Sequence, residues 1–499
     1  MKKLTNLLIA LTAGIGTINA GVVPTNVAQK VATNFYGMST TKTPTTLTLA
    51  HQENDAAGNA LYYVYNVNQA DGWVIVSAED AARPIIGYCD HGQYVTPAPH
   101  TNIDFWMNYR KNELAHIRAN AKQIVPEVSS EWNKYTVANK NLKKPSSAGT
   151  YLCQSTWDQQ YSPYPYNYFC PPTTKGAING NSVTGCVATA MSQIMRYWSY
   201  PAKGTGSHSY CDCGSSTGNS QNYGTLSANF AHTYNWSVMT LSPAGTNKVN
   251  TSDSDIARLM SDCGTSVEMD YSPSGSGAYV LSADIGGSNS GAGMAPCAQY
   301  SYVTYFGYDA KTIHGINYPM NSDAQWVDSL KKEFTNKRII EYEGQASDGG
   351  HTWVCDGNDA TTPTNNIHMN WGWSGYDDGF FSVSNLDPDN SMPAFNQSLA
   401  ALIGIQPPPG SPTSVVDVVP ETSVAVYPNP SNGAFTFELN NVQNKQQLGV
   451  FNMLGQNVYN TELNEGKTQV NFTQTPGIYF YRILSAEGNV TSTGKLIVK

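Results

Sequence analysis

Cys186 follows Gly185 and opens a stretch in which Val187, Ala190, Met191, Ile194, Met195 and Trp198 recur with a helical period. Gly185 before it and Tyr200-Pro201 after it punctuate the ends, so the thiol stands at a helix N-terminus. Unpaired N–H groups and the macrodipole favour negative charge there. Such a setting takes a cysteine pKa from about 8.5 towards roughly 3.5–7.5, most strongly beside a protonated imidazole. The resulting thiolate is a nucleophile for acyl transfer, and that chemistry needs a base, a group to orient the base, and donors for an oxyanion. His351 suits the base: Gly349-Gly350 precede it, which allows close backbone approach, and Thr352-Trp353-Val354-Cys355 follow as a strand. Asn370 can accept the imidazole N–H and fix its tautomer, while the indoles of Trp371 and Trp373 shield that bond from water. The side-chain amide of Gln159, with the Cys186 N–H, can donate to an oxyanion.

Each residue alone has a bland reading: free cysteines are commonly core residues, and the Trp-Gly-Trp could be plain packing. Their order along the chain, Gln, Cys, His, then Asn-Trp, is what favours catalysis. Other groupings are weaker. His208 with Cys211 and Cys213 lacks zinc-ligand spacing, so neither a metal nor another cofactor is expected. Asp377-Asp378 and Asp387-Pro388-Asp389 read as solvated turns without calcium-loop spacing.

Around these residues the chain divides into segments. Lys2-Lys3, a short apolar run and Ala20 form a signal peptide over residues 1–20, too short to span a bilayer permanently. Residues 21–147 read as a small α+β domain. It has helices over Val27–Tyr36 and Phe105–Ala121, and strands Leu61–Val67 and Trp73–Ser77 joined through Asp71-Gly72. The polar, basic stretch 139–147 ends it and is a natural nicking site near Lys144. Residues 148–405 are the longest unit, with helical content around Cys186 and Asp255–Cys263 and β-rich sequence from Tyr302 onwards, an α+β arrangement. A Pro-rich linker covers 406–423, and 424–499 show short alternating strands of an all-β sandwich. A net charge of −9 with no basic stripe argues against a nucleic-acid partner, and no transmembrane run appears. Nine cysteines are an odd number, so at least one thiol stays free, and Cys186 is the candidate.

Trp157-Asp158-Gln159, Gly185-Cys186-Val187-Ala188-Thr189-Ala190-Met191, the block from Gly349 to Gly357, and Asn370-Trp371-Gly372-Trp373-Ser374-Gly375 together resemble streptopain-like cysteine peptidases of the papain-like clan. Val267–Tyr271 and Gly72–Ala78 extend the likeness over roughly residues 25–400. The resemblance implies a papain-like α+β fold and an endopeptidase acting on protein or peptide substrates. It implies a zymogen whose own N-terminal prodomain inhibits it. It assigns Cys186 as nucleophile, His351 as general acid/base, Gln159 as oxyanion donor, and Asn370, Trp371 and Trp373 as support for the histidine. It further implies an apolar preference just upstream of the scissile residue. Met269, Tyr271, Ser274, Gly275, Gly349 and Gly350 are the expected substrate-binding residues. The tail, with Val426–Gly433, Gly477-Ile478-Tyr479 and Gly494–Lys499, resembles the sorting domain of the type IX secretion system. That implies a partner in the bacterial secretion machinery and a secreted or cell-surface protein. Two rivals remain on the same scaffold: a catalytically inactive surface adhesin and a thiol acyl-transferase.

Overall fold

The computed structural model describes residues 21–499 except 96–100, 121–122, 138–148, 160–165, 174–179, 215–221, 242–250, 319–321, 347–348, 363–364, 388–397, 412–422, 441–444, 453–456, 473 and 485–489. The signal segment 1–20, the nicking site near Lys144 and most of the Pro-rich linker lie outside the described residues. The chain forms two compact units, Met1–Ser414 and Val415–Lys499.

The first unit is built on one continuous antiparallel sheet. Leu47–Asn54, Ala60–Val67, Gly72–Ser77 and Ile85–Cys89 run consecutively at one end. Ile85–Cys89 then pairs with Gly379–Phe381, far along the chain, through Tyr88 opposite Phe380 and Gly87 opposite Phe381. The sheet continues through Asn366–Asn370, Gly349–Asp359, Ile340–Ala346, Ser398–Ile403 and His314–Asn317. The two segments expected as separate α+β domains therefore share one ladder of backbone hydrogen bonds.

Local signals set most elements. The first helix, Thr25–Ser39, buries Ala28, Val31, Ala32, Phe35 and Tyr36, an i, i+3, i+4 stripe against Tyr65, Val74 and Tyr88. The hairpin after Val67 does not turn at Asp71-Gly72. Asn68 and Gln69 take positive φ of 47° and 71°, and the Asn68 amide bonds Thr43 and Thr45, so the polar side chain pays for the unusual backbone. Gly72 is needed for a different reason: a Cβ there would lie 2.1 Å from the Cys89 carbonyl oxygen.

Thr101–Asn120 packs across one face of the sheet, and Cys186–Trp198 lies against the other elements of the second half with Thr251–Ser266. The region after Tyr302 is less purely β than its composition suggests, because Asp323–Thr335 forms a helix capped by the Ser322 hydroxyl. The second unit consists of a three-stranded and a four-stranded sheet around Phe435, Phe437, Leu448, Val450, Tyr481, Ile483 and Leu496. Its strand Gly477–Leu484 alternates strictly, with Tyr479, Tyr481 and Ile483 inside and Ile478 and Phe480 outside.

Candidate active site

Helix Cys186–Trp198 starts where Gly185 turns with φ +88°. A side chain at 185 would also strike Met269, whose Sδ lies 2.7 Å from an ideal Cβ. Glycine is thus required twice over, by the backbone and by the neighbour. The Thr189 hydroxyl donates to the Gly185 carbonyl at 3.0 Å and meets the Thr184 hydroxyl at 3.0 Å, which braces the turn ahead of the sulfur. Of the seven free cysteines among the described residues, six are buried and Cys186 is the exception. Its thiol is nevertheless pushed up by burial, partly offset by the backbone N–H groups of Thr352 and Val187 and by the Thr352 hydroxyl. Burial thus works against the lowering expected from the helix terminus.

His351 lies on strand Gly349–Asp359, next to Thr352, whose N–H and hydroxyl are among the groups that draw the Cys186 thiol pKa down. Helix Cys186–Trp198 packs against this strand, so the chain segments that carry Cys186 and His351, 165 residues apart, are neighbours in the fold. The imidazole packs on Phe105 of the Thr101–Asn120 helix, with ring centroids 5.1 Å apart. Asn102 of the same helix donates to the carbonyls of Thr352 and Trp371, both at 2.9 Å, and so spans from the histidine strand to the indole loop. Gly344 makes room for Phe105, since a Cβ there would sit 2.4 Å from its ring. Arg110 and Glu113, fully buried as a pair, bond Ser384 and Leu386 of the second half. These contacts place the N-terminal segment directly on the strand that carries His351.

Gln159 is buried, and its carbonyl accepts from the Thr184 N–H at 3.1 Å, which ties it to the turn preceding Cys186. Its neighbour Asp158 accepts from the Ser374 hydroxyl at 2.7 Å and bridges Trp373. Asn370 is held differently from expectation. Its Oδ1 accepts from Gln193 Nε2 at 3.0 Å and from the Gly372 N–H at 3.1 Å, and its Nδ2 donates to the Ser155 carbonyl at 2.7 Å. Both carbonyl lone pairs are thereby used on the helix and the indole loop, so in the uncut chain Asn370 anchors that loop. Gln193 is a residue the sequence reading missed. It stands two helical turns from Cys186, and a buried amide on an otherwise apolar face was the available signal. Trp371 is fully buried and its indole N–H donates to the Asp377 carbonyl at 2.9 Å.

Asp377 and Asp378 are not solvated. Asp378 accepts from the Trp371 N–H at 2.9 Å, and Asp377 accepts from the Val95 N–H at 3.0 Å. Burial pushes each carboxyl up to about 7. Asp387 is likewise buried, while Pro388 and Asp389 lie outside the described residues.

Among the expected substrate-binding residues, Met269 and Tyr271 are wholly buried and support their loop from beneath rather than facing a ligand. The loop itself is pinned ahead of the nucleophile, as the Val183 N–H donates to Ser272 and the Ser276 hydroxyl donates to Val183. Ser274 and Gly275 form its exposed tip. Gly350 is exposed, and a Cβ there would meet nothing closer than 3.8 Å, so no packed wall demands glycine at that position. The side-chain surroundings of Gly349 lie outside the described residues. Cys211 and Cys213 are joined as a disulfide and His208 pairs with Glu268 at 2.9 Å, which commits the ligands of the weak metal grouping elsewhere. Among the described residues Cys89, Asp90 and His91 offer three ligand atoms within 4.8 Å, beside the Lys42 ammonium, whose charge opposes a cation.

Residues 157–381 match the Peptidase C10 family, residues 20–114 the Spi protease inhibitor family, and residues 425–499 the secretion system C-terminal sorting domain. The chain is 27% identical to the thiol protease/hemagglutinin PrtT of Porphyromonas gingivalis over 86% of its own length and 46% of that protein's. It thus spans about half of that relative. It is 29% identical to streptopain of Streptococcus pyogenes, covering 69% of this chain and 80% of streptopain. Among solved structures, a prointerpain A fragment from Prevotella intermedia superposes with a TM-score of 0.55 at 27% identity, over 73% of this chain and 99% of the fragment. Residues 157–381 therefore belong to the Peptidase C10 family, and they lie between an inhibitor-like prodomain and a secretion sorting domain.

Proposed function

We propose that the protein is a cysteine endopeptidase, exported as a zymogen and held inactive by its own N-terminal domain. The observation that carries this reading is Cys186: the one free cysteine not buried among the described residues, at the start of a helix that packs on the strand of His351. In the processed enzyme the thiolate attacks a peptide carbonyl, and the Gln159 amide with the Cys186 N–H holds the tetrahedral oxyanion. His351 protonates the leaving amine and then activates the water that releases the acyl group. Asn370, Trp371 and Trp373 act by holding the loop against which the imidazole moves. Exposed Ser274, Gly275 and Gly350, with Gly349, line the approach, and Met269 and Tyr271 support it from within.

Inhibition follows from the same contacts. Phe105 and Asn102 occupy the histidine strand, and burial holds the Cys186 thiol above its ordinary pKa. Removing residues up to the 138–148 segment frees the histidine's side of the strand. The C-terminal unit directs the protein to the secretion machinery, to be released or kept at the cell surface.

A full-length Cys186→Ala protein should fold, remain uncut and leave casein intact. Casein digestion at the wild-type rate by that variant rejects the peptidase. A thiol-directed epoxide should label Cys186 in the processed wild type, whereas an inactive adhesin stays unlabelled. A precursor blocked at the 138–148 cut should digest casein far more slowly than the processed form, and equal rates reject autoinhibition.

A further inference from the structure

Gln193 follows Cys186 by seven residues on the same helix, so the two share a face, about 10.5 Å apart along the axis. It is fully buried in a helix whose other buried residues are chiefly Val187, Ala190, Met191, Ile194 and Met195. An apolar side chain would fill such a place without losing water, whereas an amide is tolerated there only if its polar atoms are paired. They are paired with two separate segments. Gln193 Oε1 accepts from the Ser155 hydroxyl at 3.0 Å and from the Trp157 N–H at 3.2 Å. Its Nε2 donates to Asn370 Oδ1 at 3.0 Å. The N–H groups of Trp157 and Gly372, donating to Gln193 and Asn370, fix which atom of each amide is the oxygen.

One side chain therefore ties the nucleophile's helix to the segment 155–159 and to the loop 370–375. Those two also hold each other, since the Ser374 N–H donates to the Trp157 carbonyl at 3.3 Å and Asn370 Nδ2 to the Ser155 carbonyl at 2.7 Å. The loop sits close on the helix: a Cβ at Gly372 would lie 3.1 Å from Thr189 Cγ2 and 3.9 Å from Gln193 Nε2. Trp157 stands two residues before Gln159, whose carbonyl accepts from the Thr184 N–H just ahead of Cys186. The backbone that carries the Gln159 amide is thus fastened at both ends, by Gln193 at Trp157 and by Thr184 at Gln159. Two fixed backbone points set where the side chain between them and the sulfur can reach.

We propose that Gln193 is a positioning residue, which holds the Ser155–Gln159 segment in register with the helix of Cys186 and so sets where the Gln159 amide meets the oxyanion. An oxyanion donor acts only within about 2.7–3.1 Å of the developing charge, and a misplacement of about 1 Å can cost about 10²-fold in rate. The contact is made in the transition state, so its loss falls on kcat rather than on KM. The proposal rests on the peptidase reading and on Gln159 as the oxyanion donor.

The test measures kcat and KM on one fluorogenic peptide, using full chains processed by immobilised wild-type enzyme. Gln193→Met keeps the length of the side chain and removes both hydrogen-bonding atoms. It should lower kcat by about tenfold to a hundredfold and leave KM within about threefold. Because Gln193 acts through Gln159, adding Gln193→Met to Gln159→Ala should lower kcat by less than about threefold more. A side chain that only supports the fold gives losses that multiply in the double variant, and that result overturns the proposal. So does a wild-type kcat in Gln193→Met, or a change confined to KM. If Gln193→Met does not fold, Gln193→Asn, which keeps a buried amide but withdraws it by one methylene, is read by the same cycle. No turnover by the wild-type enzyme overturns the peptidase reading, and the proposal with it.

Discussion

On one face of strand Gly349–Asp359, Thr352 meets the Cys186 sulfur; on the other, His351 and Trp353 meet Phe105 and, for Trp353, Trp106 of the prodomain helix. Neighbouring strand residues point to opposite faces, so a single step along the chain moves from the side of Cys186 to the side held by the prodomain. The difference teaches how little structure a zymogen needs. In the uncut chain Gln159, Thr184 and the 272–276 loop are already hydrogen-bonded around the turn ahead of Cys186. What the prodomain holds is the histidine's side of the same strand.

Variants should divide by whether they act in the processed enzyme or in the precursor. In the processed enzyme, His351→Ala should lower kcat/KM on a peptide substrate by about 10³-fold or more, with the circular dichroism spectrum retained. A loss below tenfold would remove His351 from the mechanism. Gln159→Ala should follow with a loss of about 10²–10³ in kcat, the usual cost of one oxyanion donor.

On the prodomain side, the expected effects are on the precursor. Phe105→Ala should cost the uncut chain about 3–5 kcal/mol in denaturant unfolding and raise the casein activity of a cleavage-blocked precursor. Gly344→Ala should act in the same direction, because its Cβ would lie 2.4 Å from the Phe105 ring. If either variant leaves precursor activity at its starting level, the two faces are not opposed as described.

The smallest effect expected is a pH dependence. Asp377, held at about 7 by burial, accepts from Val95 of the prodomain. Its ordinary value is 3.8, so between those values the folded chain binds more protons than the unfolded one. Stability of the uncut chain should therefore fall as pH rises from about 4 to about 7, by at most about 1.4 kcal/mol per pH unit from this group. Thermal melts of the Cys186→Ala protein at several pH values check the slope, and Asp377→Asn should flatten it.

Much of the site could be read without coordinates because its signals are local. Cys186 is marked by a helical period and a preceding glycine, and His351 by the glycines and strand around it. The misreadings share one cause. Asp377 and Asp378 look like a solvated turn until Trp371 and Val95 close over them, and Met269 looks like a pocket wall until Gly185 is seen to need it in the core. Asn370 has the chemistry to orient an imidazole, yet Gln193 and Gly372 take its carbonyl. Burial and partner choice belong to contacts between distant segments, which no local window contains.

Element types, the order of chemical groups and the break before the C-terminal strands were written in the chain, since period, caps and turn residues act over a few positions. The tertiary structure alone decided that Ile85–Cys89 adds to Gly379–Phe381 and that Phe105 rests on His351. Strand pairing and the raised pKa of a buried thiol depend on what the fold brings alongside and how much water it removes, and those are properties of the whole packed unit.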